Sequence, residues 1–300
     1  MLKGLAAFAM RGRMPALLLT VAGAGSLLFC WISAAVVALV TLRKGAGEGA
    51  WLLLWALLPA GALLYVLGDS GPLTLLLGVT ALAVVLRTTV SLPLAVLASV
   101  PVGAAVGLAL MAFGGHYLEQ LAAYFGEFLA TLERQLAQGG GEPVVLSRPG
   151  ALQIAGMLGA GTALSSVLCL LLARYWQSAL YHPGGFGREF RSLYYPPAVA
   201  LALALGAAAL LGLGVQYRTW ALIGLVPLSF AGLALVHARV ASRGQGRGWL
   251  IAFYVAWLLF DPVKLLVVFA AIADSWLRLR QRWGAGAGTG VRRRDDEQDD

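Results

Sequence analysis

The stretch "WLIAFYVAWLLFDPVKLLVVFAAIADSWL", residues 249–277, decides the fold class. It is 29 residues long, and only Asp261, Lys264 and Asp274 carry a charge. About 20 consecutive apolar residues are enough to cross the hydrocarbon core of a bilayer as a helix. This stretch therefore predicts a membrane helix, and its length leaves room for more than one simple crossing.

The rest of the chain has the same character. Of its 300 residues 60% are hydrophobic and 12% are charged, whereas an ordinary soluble domain carries roughly 25% charged residues. We predict an all-α, polytopic transmembrane helix bundle over 1–283. About eight long apolar segments form it, at 14–42, 50–68, 72–86, 89–114, 149–173, 195–216, 219–238 and 249–277.

The net charge of +8 indicates how the chain is oriented in the membrane. The arginines stand at the ends of apolar runs, where cytoplasmic loops collect them, so the charge does not indicate nucleic acid. The first run is flanked by Arg13 and Arg43, and the last by Arg247 and Arg278. Because both ends of each run then face the cytoplasm, we expect the first and last runs to be split. Both termini are predicted to be cytoplasmic.

Two segments differ from the apolar runs. Residues 115–148 are net acidic and predict an extracytoplasmic helix and loop, with apolar side chains at helical spacing over 116–137. That amphipathic helix is either an interfacial packing element or a lid over the bundle. Residues 284–300 are rich in glycine and then in charge, which predicts a disordered tail.

Catalytic and metal-binding patterns are missing from the sequence. It contains no GxxxxGK[ST], HExxH or GxSxG motif, and its three histidines are scattered. Cys30 and Cys169 lie in separate apolar runs and form no CxxC pair. We predict a protein that is not an enzyme and has neither a cofactor nor a metal. An intramembrane enzyme that uses Asp261 alone is a third, less favoured interpretation.

The best single candidate site is "LFDPVK", residues 259–264. Asp261 before Pro262 is typical of a helix start, with an N-cap followed by proline at the first helical position. Lys264 lies one turn further on. Ionisable groups inside a membrane usually face the bundle interior or a cavity, and transporters place sites at interrupted helices. Asp261 and Lys264 are therefore either ligand-binding residues or an ion pair that fixes a kink.

The stretch "RYWQSALYHPGGFGREF", residues 174–190, concentrates polar and aromatic side chains. Arg174, Trp176 and Gln177 are candidate ligand-binding residues, although aromatics at this place are also typical of a membrane belt. The Pro-Gly-Gly turn that follows is either an anchoring turn or a surface for a protein partner. Its candidate partner-binding residues are Tyr181, Pro183, Gly184, Gly185, Phe186, Arg188 and Arg191.

Two shorter patterns concern packing. Asp274 and Arg278 lie one turn apart, which predicts a paired cap at the end of the last helix. Gly103 and Gly107 form a GxxxG pair, which lets neighbouring helices approach closely.

Two stretches carry a resemblance to a known family. "ARYWQSALYHPGGFGREFRSL" (173–193) and "FAGLALVHARV … AIADSWLRLRQR" (230–282) resemble the YybS-like family of bacterial inner-membrane proteins, a domain of unknown function. "ISAAVVALVTLRKGAGEGA" (32–50) is similar to a part of the S-components of energy-coupling-factor transporters, to which the chain has distant similarity. The resemblance implies a multi-pass protein of the bacterial inner (cytoplasmic) membrane.

We weigh two functions. The interrupted helices, the Asp261 and Lys264 pair and the resemblance favour the first, and the turn at 182–191, the charged tail and the lack of catalytic groups favour the second. The first is a transporter-type, S-component-like protein that binds a small-molecule solute within the helix bundle and has no ATPase of its own. Its partners would be the lipid bilayer and an energy-coupling module or another membrane protein. The second is a non-catalytic envelope or assembly factor that binds a protein partner through its cytoplasmic turn.

Overall fold

The computed structural model describes residues 2–138, 145–280 and 282–283. All regular structure in these ranges is helical. The helices are α1 Leu2–Met10, α2 Arg13–Ala24, α3 Cys30–Lys44, α4 Ala46–Leu67, α5 Gly71–Thr89, α6 Leu92–Leu97, α7 Ser99–Phe113, α8 Gly115–Gln138, α9 Ala151–Tyr181, α10 Gly185–Arg191, α11 Pro197–Gly212, α12 Arg218–Ser242, α13 Arg247–Leu259 and α14 Asp261–Leu277, with a 3₁₀ turn at Val215–Tyr217.

The helical class predicted from the sequence is confirmed. Within the described residues, five helical stretches are long and apolar enough to cross a membrane, or six if α13 and α14 together form one bent span. The five are Ala46–Leu67, Gly71–Thr89, Leu92–Phe113, Ala151–Tyr181 and Val215–Ser242. The larger number of eight apolar segments stays a prediction.

Both of the longest runs are divided into two helices. The first breaks between Ala24 and Cys30, and the Ser33 hydroxyl donates to the Thr20 carbonyl at 2.6 Å across the break. The last breaks at Phe260, where α13 and α14 meet at 114°. The second break lies at the Asp-Pro pair because proline has no backbone N–H to give to the preceding turn.

Helix α8 is amphipathic, as its spacing predicts. Its Leu118 side chain is buried with Ile154 and Ala155 of α9, while Glu119 and Glu127 are exposed. Part of the loop predicted after it, residues 139–144, lies outside the described residues, and so does the predicted tail 284–300.

The chain divides into two compact units, the first of which comprises residues 1–183 and 207–226. Helix α9 is its central element and packs against α3, α5 and α7. The crossing of α7 and α9 is close, because a Cβ atom on Gly159 would lie 2.5 Å from the carbonyl oxygen of Gly103. Small residues allow such backbone contact between apolar helices.

Cationic side chains gather at one end of the first unit. The Arg87 guanidinium, near the end of α5, donates to the Leu42 carbonyl at 2.8 Å near the end of α3. The Arg43 guanidinium stacks 4.2 Å from the ring centroid of Tyr181, at the end of α9. Asp69 precedes α5 and therefore belongs to the opposite end of that helix.

The second unit comprises residues 184–206 together with the chain from Pro227 onward. Helices α12 and α14 cross closely in it, because a Cβ atom on Gly232 would overlap the carbonyl oxygen of Val267. The Tyr194 hydroxyl, which lies between α10 and α11, donates to the Ser275 carbonyl at 3.0 Å. These contacts hold the loop after α10 against the end of α14.

Candidate functional site

The predicted ligand residues Asp261 and Lys264 pair with each other. The Lys264 Nζ atom lies 2.7 Å from Asp261 Oδ1, and the Asp261 side chain is 89% exposed. Lys264 Nζ also lies 5.8 Å from the ring centroid of Trp257. The three cavities described below are lined by other residues, so the geometry agrees with an ion pair at a helix break. A role of these two residues in binding a ligand stays a prediction.

The other predicted ligand residues belong to the first unit. Arg174 donates to the Gln177 side-chain oxygen at 2.6 Å, one turn further along α9. Trp176 is fully buried, and its indole Nε1 has no hydrogen-bond partner among the described residues. Asp261 and Lys264 belong to the second unit, so the predicted set is distributed over both.

The predicted partner-binding turn is largely exposed. Tyr181, Pro183 and Gly184 are exposed, and Gly184 has a φ of 83°, a left-handed backbone that glycine adopts without steric cost. Helix α10 follows directly, and its Phe186 and Phe190 rings stack with centroids 6.0 Å apart. Arg188 and Arg191 of this helix line a cavity in the second unit, described next.

A cavity of about 730 Å³ lies in the second unit. We call it the arginine cavity. It is lined by Arg188, Arg191, Ser192, Tyr194, Ala238, Asp274, Arg278 and Arg280. Small-molecule sites typically have about 300–1,000 Å³. The cavity therefore has the size of a ligand site, and four arginines face one carboxylate in it.

The local backbone at the end of α14 brings the arginines together. Arg278 adopts a left-handed conformation (φ 49°, ψ 47°), and its N–H donates to the Asp274 carbonyl at 2.9 Å. Such a residue ends a helix and reverses the chain direction. The reversal returns Arg280 to Asp274, and the Arg280 Nε atom lies 2.9 Å from Asp274 Oδ2.

Asp274 and Arg280 form a buried ion pair in the lining of the cavity. Both side chains are largely buried, with exposed fractions of 2% and 16%. The remaining Arg280 nitrogens donate to the carbonyls of Arg191, at 2.6 Å, and Ala231, at 3.0 Å. Burial lowers the pKa of Arg280, and the adjacent Asp274 carboxylate acts in the opposite direction. Arg280 therefore connects three segments of the chain.

The other three arginines are differently placed. Within the described part of the chain, Arg188, Arg191 and Arg278 form no ion pair with a carboxylate. Arg188 and Arg278 are exposed and Arg191 is half-buried. A guanidinium presents several N–H donors in a planar fork that matches phosphate and carboxylate oxygens. The arrangement can bind an anionic group without giving up an existing ion pair.

The first unit contains an apolar groove of about 680 Å³ between α5 and α7. Its walls include Leu77, Val102 and Ala109, and its polar lining is limited to groups such as Ser70 and Thr74. A smaller cavity of about 300 Å³ lies near Cys30 and Asp69. Neither contains a cluster of charged side chains, so the arginine cavity is the stronger candidate for a polar ligand.

Comparison of the chain with known proteins finds no match among protein-family models, curated proteins or solved structures.

The sequence predicts part of the arginine cavity. Its pattern indicates Arg188 and Arg191, but as residues that bind a protein partner, and it pairs Asp274 with Arg278. The structure corrects that pairing, because the carboxylate contacts Arg280, six residues on. The sequence pattern does not predict the other four lining residues, Ser192, Tyr194, Ala238 and Arg280. The sequence feature that could indicate this cavity is the positive-inside pattern, because it predicts that residues 174–191 and 278–282 face the same side of the membrane.

Proposed function

We propose that this chain is a multi-pass protein of the bacterial inner membrane that binds a small anionic solute in the arginine cavity. It acts as a transporter-type, S-component-like protein without an ATPase of its own. The observation that carries the proposal is the group Arg188, Arg191 and Arg278. These three guanidiniums share one cavity of about 730 Å³ and have no ion-pair partner among the described residues.

Electrostatics supports an anionic ligand. Guanidiniums that share a cavity repel one another, and the repulsion grows as water is displaced from between them. A bound phosphate or carboxylate group removes this repulsion and forms short, charge-assisted hydrogen bonds. Buried Arg280 and Asp274 form a fixed ion pair at the floor of the cavity.

The position of the arginines supports a cytoplasmic opening. Arginine and lysine accumulate in cytoplasmic loops, and the cavity is built from segments that follow apolar runs. In the first unit, the arginines at the ends of α3 and α5 also lie together. We therefore propose that both termini are cytoplasmic and that the cavity binds solute from, or releases it to, that side.

Titration with inorganic phosphate tests the proposal. We expect phosphate to raise the melting temperature of the detergent-purified protein relative to chloride at equal ionic strength. The variant Arg188→Gln/Arg191→Gln should lose this stabilisation, because it removes two of the three unpaired guanidiniums. Arg247→Gln is the matched control, since Arg247 is an exposed arginine of the same unit that does not line the cavity. Equal stabilisation of all three proteins would contradict the proposal.

Asp261 provides a second, independent comparison. Its side chain is exposed, paired with Lys264 and not part of the cavity lining. Asp261→Ala should therefore leave the phosphate effect unchanged. A loss of phosphate stabilisation in Asp261→Ala would instead indicate that the solute binds at the helix break near Asp261, as the sequence predicts.

The alternative function is a non-catalytic envelope or assembly factor that binds a protein partner. The observation in its favour is the exposure of Gly184 and Arg188 at the start of the second unit. Pull-down with residues 182–191 scrambled separates the two functions. Loss of a specific partner, with phosphate stabilisation absent from the parent protein, would favour the assembly factor.

A further inference from the structure

The arginine cavity also contains a buried carboxylate, that of Asp274, with one oxygen that lacks a hydrogen-bond partner among the described residues. The Asp274 side chain is 2% exposed, and only Oδ2 has a hydrogen-bond partner, the Nε atom of Arg280. The second oxygen, Oδ1, has none among the described residues. Four buried side-chain atoms in the described residues lack a partner, and Oδ1 is the one that belongs to the second unit.

An unsatisfied buried carboxylate oxygen is costly. Leaving a buried acceptor unpaired costs the desolvation free energy of that group, and the cost is larger for a charged one. No hydrogen bond from Arg280 reaches Oδ1, since its Nε donates to Oδ2 of Asp274 and its two terminal nitrogens donate to the carbonyls of Arg191 and Ala231. A bound molecule can supply the donor that Oδ1 lacks among the described residues.

Resting on the proposed function, we infer that the ligand of the arginine cavity is an aminoalkyl phosphate. Its phosphate group binds Arg188, Arg191 and Arg278, and its ammonium group donates to Asp274. Phosphate matches the guanidinium forks, whereas an ammonium supplies both the N–H donor and the positive charge that the carboxylate lacks on its Oδ1 side. The shared chemistry occurs in free phosphoethanolamine and in the headgroup of phosphatidylethanolamine.

The size and composition of the cavity agree with such a ligand. A volume of about 730 Å³ exceeds the needs of a bare phosphate ion and leaves space for a linker between the two charged groups. The hydroxyl-bearing residues Ser192 and Tyr194 lie in the same lining. A ligand with a negative charge alone would leave Asp274 unsatisfied and facing an anion.

The test compares three soluble phosphates on the full chain in a neutral maltoside detergent by isothermal titration calorimetry. Phosphoethanolamine offers phosphate and N–H donors, phosphocholine offers the same charge without an N–H, and ethyl phosphate offers no amine. We expect phosphoethanolamine to bind about tenfold or more tightly than either of the others, because a hydrogen bond to a charged group is lost in both cases. Equal affinity for all three ligands would overturn the inference.

A variant strengthens the comparison. Asp274→Asn keeps the side-chain volume but removes the charge, so the preference for phosphoethanolamine should fall to about twofold or less while ethyl phosphate still binds. The comparison of ligands on the parent protein does not depend on the folding of this variant. Unchanged preference in folded Asp274→Asn would also overturn the inference.

The two proposals fail in different ways. If all three phosphates bind equally and Arg188→Gln/Arg191→Gln loses them, the anionic site stands and the role of Asp274 is wrong. If none of the phosphates binds, both proposals are wrong.

The source of the ligand is assigned in nanodiscs. We measure phosphoethanolamine binding in nanodiscs of phosphatidylcholine and in nanodiscs that contain phosphatidylethanolamine. A weaker apparent affinity in the second case supports the lipid headgroup as ligand, because the lipid competes for the cavity. Unchanged affinity supports the soluble compound. No saturable phosphoethanolamine binding in either nanodisc would overturn the inference.

Discussion

Asp274 shows at the scale of one residue how the site is built. The helical spacing in the sequence favours Arg278 as its partner, since residues four apart share a helix face. The helix instead ends at Leu277, and Arg278 enters the left-handed region. Helical spacing no longer applies beyond that point, so the partner becomes Arg280. A sequence pattern cannot predict this switch, because arginine is not a residue that usually adopts a left-handed cap.

Replacing Arg280 with glutamine should destabilise the protein strongly. The change leaves Asp274 as an uncompensated buried charge and removes donors to two carbonyls. Breaking a buried ion pair from one side costs roughly 3–5 kcal/mol. Chemical unfolding in detergent, followed by circular dichroism, measures the free energy of unfolding.

The matched control for Arg280→Gln is Arg278→Gln. Arg278 lies two residues away and is exposed, and it forms no ion pair among the described residues. Its replacement should change the free energy of unfolding by less than about 0.5 kcal/mol. Similar losses in the two variants would show that the buried pair does not stabilise the second unit.

Glycines determine the packing at the scale of helices. The GxxxG pattern at Gly103 predicts a close helix contact, and α7 does approach α9 there. Its counterpart is Gly159, where an added Cβ would lie 2.5 Å from the Gly103 carbonyl oxygen. The sequence could predict that α7 packs closely, but the choice of α9 as the neighbour depends on long-range packing.

Gly159→Ala should therefore destabilise the first unit by about 1–3 kcal/mol, the usual cost of forcing extra volume into a well-packed contact. Gly161→Ala is the control on the same helix, since nothing lies within 4 Å of its added Cβ atom. That variant should be neutral or slightly stabilised, because alanine favours the helix more than glycine does. Thermal unfolding of the purified proteins measures both. A melting temperature that falls equally in both variants would contradict the close contact.

The broken runs show what could be predicted at this scale and why. Asp261 and Pro262 predict a helix start inside an apolar run, and α14 begins there. The predicted N-cap is wrong by one position, because Phe260 is the N-cap and Asp261 is already the first residue of the helix. The chemistry of the Asp-Pro pair is local, so one sequence is sufficient. The angle of 114° at Phe260 is set by packing of the two helices and could not be predicted. The arginine cavity could not be predicted from the sequence either, because its lining comes from three separate segments of the chain.

At the scale of the whole molecule, the described residues include apolar helices long enough to cross a membrane. We propose the orientation of the chain from its charges. Reporter fusions test it, with a fluorescent protein that folds in the cytoplasm and an alkaline phosphatase that is active outside. We expect fusions after residue 283 to be fluorescent and fusions at Asp69 to be active as phosphatase. The reverse pattern, or termini on opposite sides, would contradict the proposed cytoplasmic position of the arginine cavity.

Native mass spectrometry of the gently purified protein tests the central claim most directly. We expect the parent protein to retain a small molecule that carries an anionic group, and Arg188→Gln/Arg191→Gln to have lost it, because these guanidiniums line the cavity. A bound molecule that persists at the same occupancy in the double variant would contradict the claim. So would a parent protein that retains no anionic molecule and takes up none from added phosphate.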